Sequence, residues 1–119
     1  MQATSSEGGA AAARVVLVTA PDVASASALA RAIVERRLAA CVNRIEGVTS
    51  VYRWKQAVEE ASEVLLVIKT SAARLPELEA FLSREHPYEV HELVALEPAE
   101  VAPAYLAWLL DSCAPKADG

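Results

Sequence analysis

VTSVYRWKQAVEEASEVLLVIKT, residues 48–70, decides the fold. Val48, Ser50, Tyr52 and Trp54 alternate with Thr49, Val51 and Arg53, the period of two that a strand imposes. Lys55-Gln56 is the hairpin tip. The return strand runs from about Val58 to Thr70. Its stretch Val64-Leu65-Leu66-Val67-Ile68 is apolar at every position, as in a strand covered on both faces.

Upstream, Ala39 to Asn43 begins the outgoing strand, and Gly47 predicts a bulge or bend in it. Residues 23–37 predict a helix, with Ala26, Leu29, Ala30, Ile33 and Val34 forming one apolar stripe. Asp22 suits its N-cap, and Arg36 and Arg37 suit the negative end of its dipole. Arg14 to Ala20 is a first strand, again apolar on both faces. Downstream, Leu75, Leu78, Phe81 and Leu82 mark a helix over about residues 73–85, with Pro76 in its first turn. Pro87 forces His86 out of the helical region. A fourth strand is expected from Glu89 to Leu96, stopped by Pro98. In it Glu89 and His91 share one face, roughly 6.5 Å apart, and Glu92 points the other way. A last helix, about residues 101–112, carries Tyr105, Trp108 and Leu109 on one side, with Pro103 in its first turn.

The order is βαββαβ with an extra C-terminal helix, an α+β, ferredoxin-like sandwich. Right-handed crossovers put the first two helices on one sheet face. The opposite face keeps apolar residues that one short helix covers only partly. Burial against other subunits is the expectation.

A chain of 119 residues, 54% hydrophobic, is one globular domain with a real core. Residues 1–13 are expected to be a disordered N-terminal tail, 14–112 the domain and 113–119 a flexible C-terminal tail. A net charge of −5 offers nothing to a phosphate backbone, so no nucleic-acid partner is expected. No apolar run approaches the roughly 20 residues that span a bilayer, and the N-terminus lacks the basic and Leu-rich regions of a signal peptide. Cys41 and Cys113 form no disulfide framework; reduced thiols and a cytoplasmic location are the simpler expectation. No serine sits in a strand-turn-helix elbow, and Gly47 alone makes no phosphate loop.

Several stretches together resemble the CutA divalent-cation tolerance family. They are Thr19-Ala20-Pro21-Asp22, Leu38-Ala39-Ala40-Cys41-Val42-Asn43, Ser50-Val51-Tyr52-Arg53-Trp54, Glu63 to Thr70, His86-Pro87-Tyr88-Glu89-Val90 with Glu92, and Tyr105-Leu106-Ala107-Trp108. The resemblance runs from about residue 14 to 112. It implies the ferredoxin-like fold, a tight homotrimer with sheets packed around a threefold axis and strands extended between subunits, and an association with tolerance to divalent metals, copper above all. It implies no catalytic reaction. Two positions depart from the family's pattern. Gln56 stands where relatives carry glycine at the hairpin tip, and His91 stands where they carry proline.

The candidate metal donors are Cys41, His86, Glu89, His91 and Glu92. Thiolate and imidazole suit copper, and imidazole with carboxylate suits zinc or Cu(II). Their spacing matches no CxxC or HExxH signature. His86 is equally a turn residue, His91 a solvated strand residue and Cys41 a buried small hydrophobe. Lys69 reads as a charged strand end or as the lining of a polar pocket. Tyr52, Trp54, Tyr88, Tyr105 and Trp108 read as core or interface anchors, or as the walls of a pocket at a subunit junction. The expectation is a non-enzymatic homotrimer that binds divalent metal, Cu(II) foremost, and needs no metal to fold. The alternatives are a PII-like trimeric sensor of small molecules or nucleotides, and a structural trimer that scaffolds a protein partner.

Overall fold

The structure, a computed structural model, describes residues 9–116. Strand β1 spans Ala13–Ala20, helix α1 Val23–Glu35, β2 Cys41–Trp54, β3 Ala57–Ser71, α2 Leu75–Glu85, β4 Val94–Leu96 and α3 Pro103–Cys113. Short 3-10 turns occupy Ala10–Ala12 and Ala72–Arg74. The sheet order is β2-β3-β1-β4, and every neighbouring pair is antiparallel.

Register explains the core. Val16 faces Ile68, Val18 faces Leu66 and Ala20 faces Val64, so these six side chains share one face. They are buried together with Ala26, Leu29 and Ile33 of α1 and Leu78, Phe81 and Leu82 of α2. Both helices therefore lie on the same face, as the connectivity requires. Each large aliphatic chain sealed there stabilises the fold by about 1.5–3 kcal/mol. Asp22 caps α1, its carboxylate accepting from the Ser25 amide at 2.7 Å.

The other face follows from the same register. Val15, Lys69 and Cys41 stand in one cross-strand row, Leu17, Val67 and Asn43 in the next, and Thr19, Leu65 and Ile45 in the third. Leu96 and Val94 of β4 extend the first two rows. Lys69 donates to the Asn43 side-chain oxygen within this grid. Helix α3 covers one end, where Leu106, Leu109 and Cys113 pack on Ala13 and Ala40. Ile45, Val94 and Leu96 stay 46–47% exposed.

Gly47 makes the expected bulge: the β2–β3 register shifts between Ile45 and Val48, and Gly47 has φ +79°. Other features differ from expectation. The fourth strand begins at Val94 and not at Glu89, because the β1–β4 ladder stops at Leu17–Val94 and residues 86–93 run as an irregular segment against the end of β1, where the His86 ring takes the Thr19 carbonyl. The strand geometry expected for Glu89, His91 and Glu92 does not form. Helix α1 stops at Glu35, since Arg37 takes a left-handed φ of 59°. On α3, Leu109 and Leu106 turn inward, while Tyr105 and Trp108 face out with ring centroids 5.4 Å apart. The domain begins before Arg14, for Ala13 is 2% exposed and already in β1. At the other end Cys113 is a buried member of α3 and not part of a tail. Residues 1–8 and 117–119, the rest of the expected tails, lie outside the described residues. Among the described residues no helix is long and apolar enough to cross a membrane.

Candidate functional site

His86 ends α2. Its amide still donates to Leu82 O at 2.9 Å, but Pro87 holds it extended at φ −74°, ψ 137°. The ring turns back onto β1. Nε2 lies 2.8 Å from the carbonyl oxygen of Thr19, and Nδ1 lies 3.0 Å from the amide nitrogen of Tyr88. A carbonyl only accepts and an amide only donates, so this is the neutral imidazole protonated on Nε2. Burial is the main influence on its basicity and lowers it. The Thr19 carbonyl and Glu63 pull the other way, and His91 adds to the lowering.

The turn fixed by His86 delivers Tyr88 to β3. Its hydroxyl donates to Glu63, a carboxylate buried one residue beyond the last β1–β3 pair. Burial raises the Tyr88 pKa well above the usual phenol value; the bond to Glu63 and its charge add to this, followed by Tyr52 and Asp22. Glu92 closes the group. Burial, then the charge of Glu63, raises its carboxyl above the ordinary value of 4.5. His91 stacks on His86 with centroids 5.4 Å apart and planes at 23°.

The structure therefore brings together three of the five expected donors, His86, His91 and Glu92. Glu89 is exposed on the irregular segment. Cys41 lies in the row of Val15 and Lys69, four residues along β1 from Thr19, roughly 13 Å away. There it neighbours Tyr105, whose pKa is raised by burial and then by the Cys41 charge. Among the described residues no group of three or more His, Cys, Asp or Glu could hold a metal ion. His86 is the clearest reason. With both ring nitrogens held by backbone, it can ligate only by giving up one of those bonds. The donors of a single chain do not fit a closed metal site.

Glu63 is not among the site residues expected from sequence, and neither is the role of Tyr88. Glu63 carries a signal: it is a charge placed directly before the apolar run 64–68, where β1 gives out. Tyr88 carries none, since only the fold shows which way a turn residue points.

A family model described as CutA1 divalent ion tolerance protein matches residues 14–112. Protein CutA of Mus musculus is 50% identical over 92 residues, 77% of this chain and 52% of that protein. The chain thus spans about half the length of that relative. The divalent-cation tolerance protein CutA of Thermus thermophilus is 47% identical over 98 residues, 82% of this chain and 95% of that one. A solved structure of a divalent cation tolerance protein from Thermus thermophilus superposes with a TM-score of 0.84 at 45% identity, covering 86% of this chain and 99% of that chain.

Proposed function

The chain belongs to the CutA1 divalent ion tolerance family, and from that premise we propose that it contributes to divalent-cation tolerance as a cytoplasmic, non-catalytic homotrimer that binds copper or another divalent metal. The match over residues 14–112 carries the reading. Two features of the chain support the assembly. The second sheet face leaves Ile45, Val94 and Leu96 nearly half exposed, and α3 presents Tyr105 and Trp108 outward. Apolar area on that scale favours burial against further copies.

Metal binding then draws on donors from more than one chain. His91, Glu89 and Glu92 at one end of the sheet, and Cys41 at the other, supply the imidazole, carboxylate and thiolate that suit Cu(II) or zinc. His86 stands behind them, orienting the segment that carries three of the four. A sensor of the PII type uses a long loop between its second and third strands. Here the connection is the two-residue tip Lys55-Gln56, which weighs against that alternative.

Isothermal titration with Cu(II), zinc and ATP separates the readings. Metal binding weakened tenfold or more by His91→Ala, at unchanged assembly, supports the proposal. ATP binding without metal binding overturns it for the sensor, and neither leaves the scaffold. Sedimentation at about three times the 12.6 kDa chain mass is expected.

A further inference from the structure

Register puts a cation at the end of a core row. On the sheet face beneath the two helices, Val18 faces Leu66, and Leu66 in turn faces Arg44 of β2. The next row, Val16, Ile68 and Val42, is apolar to its end. Arg44 thus takes an apolar side chain's place on the edge strand of the sheet. A groove of about 640 Å³ lies there between α1 and β2, with Val34 and Val42 among its walls. That volume falls within the range of small-ligand sites, about 300–1,000 Å³.

The polar side chains around the groove favour one sign of charge. Ser27 and Arg31 are four residues apart on α1, so both face it. Arg44 donates to the Ser27 hydroxyl. Its guanidinium therefore sits beside one turn of α1, with Arg31 on the next, about 5.4 Å along the axis. Arg31 holds Glu35 only at 3.7 Å, and both side chains are mostly exposed, a pair that contributes little. Arg44 is in no ion pair among the described residues. Two guanidiniums thus face one carboxylate in a chain whose net charge is −5.

We propose that this groove binds a small organic carboxylate, its oxygens on Arg44 and Arg31 and its apolar body against Val34 and Val42. Charge selects the ligand. The groove has an excess of one positive charge, which a carboxylate balances and a phosphate monoester, at about −1.5 to −2, exceeds. The planar fork of arginine meets a carboxylate in two parallel bonds. Val34, 41% exposed, seats the rest of the molecule. Glu35 is then a competitor within the site, holding Arg31 until a ligand carboxylate takes its place. The groove lies on the helix side of the sheet, opposite the face assigned to assembly. The inference goes beyond the metal reading and does not depend on it.

Titration of the isotope-labelled chain with hydrocinnamate, followed by heteronuclear NMR, tests it. The amides of Ser27, Arg31 and Arg44 should shift together, with a dissociation constant of about 1 mM or tighter. Phenylpropylamine, the same body carrying a cation, should leave them unmoved. Arg44→Gln should weaken hydrocinnamate binding about tenfold, while Glu35→Gln should tighten it about threefold by freeing Arg31. Should Arg44→Gln fail to fold by far-UV circular dichroism, Glu35→Gln, at an exposed position of α1, carries the test by itself. No shift at about 10 mM hydrocinnamate, equal shifts with the amine, a folded Arg44→Gln variant that binds like wild type, or a Glu35→Gln variant that binds no tighter overturns the site.

Discussion

The imidazole of His86 reaches the carbonyl oxygen of Thr19 at 2.8 Å, across 67 residues of sequence. It joins the end of α2 to the end of β1, and through Nδ1 it also fixes the turn that aims Tyr88 at Glu63. His86→Ala leaves a carbonyl and an amide without partners in a buried place. A loss of about 2–4 kcal/mol is expected, since each unsatisfied group costs about 1–3 kcal/mol. Urea denaturation at fixed protein concentration measures it. A loss under about 0.5 kcal/mol would mean that water replaces both bonds and that the imidazole is not the clamp.

The same ring sets a dependence on acid. Burial, as the largest influence, holds folded His86 below the ordinary imidazole value of 6.5. As pH falls below 6.5 the unfolded imidazole takes a proton that the folded one resists, so stability drops through the window between 6.5 and the lower folded value. Glu92 acts in the opposite sense. Its folded pKa is raised by burial and by Glu63, so unfolding releases a proton and stability rises as pH falls toward 4.5. Glu92→Gln should therefore stabilise the chain at pH 7, by about a few tenths of a kcal/mol after solvent screening. Urea midpoints between about pH 4.5 and 8 check both signs. A profile for the Glu92→Gln variant, free of the opposing carboxylate, that is flat from about pH 8 down to 5, or a Glu92→Gln variant weaker than wild type at pH 7, contradicts the assignment.

At the hairpin tip Lys55 and Gln56 both take left-handed backbone angles, φ 49° and 71°. A side chain in that region costs about 1 kcal/mol or more, a cost glycine escapes. Gln56→Gly should gain about 1 kcal/mol, and Gln56→Val should lose at least as much. Thermal midpoints of the two variants must move in opposite directions for the strain to be real.

What can be read from the residues is what periodicity and steric rules carry. The two-residue alternation of 48–54 marks the hairpin, Asp22 its cap on α1, Gly47 the bulge, and Pro87 the extended His86. Each is a local constraint that survives without knowing the neighbours. The stretch from Glu89 to Leu93 misleads because Val90 and Leu93 lie among polar residues as in a strand, yet the β1–β4 ladder stops at Leu17–Val94, and farther along β1 the Thr19 carbonyl is taken by the His86 imidazole. Glu63 and Tyr88 escape for the matching reason: they meet only because two segments 25 residues apart fold onto one strand end. Cys41 and the histidines look like one donor set in sequence. Register places them at opposite ends of β1.

Arg37, expected from sequence to serve the dipole of α1, serves α3 instead. Its left-handed φ of 59° carries the side chain past the end of α1. There Nε donates to Ala114 O at 2.6 Å and a terminal nitrogen donates to Asp111 O at 2.7 Å. Those carbonyls belong to the last turn and C-cap of α3, where Asp111 O also accepts from the Ala114 amide at 3.2 Å and the last turn holds no basic residue. Arg37→Ala removes the cap and keeps the backbone strain, so a loss of about 1–2 kcal/mol follows. Arg37→Gly removes the cap and relieves the strain, and should lie about 1 kcal/mol above the alanine variant. Both variants lack the guanidinium, so both should exchange the amides of residues 109–113 faster than wild type, whatever their global stability. Protection of those amides in Arg37→Gly equal to wild type would show that α3 holds its own end, and that the two bonds from Arg37 add nothing to it.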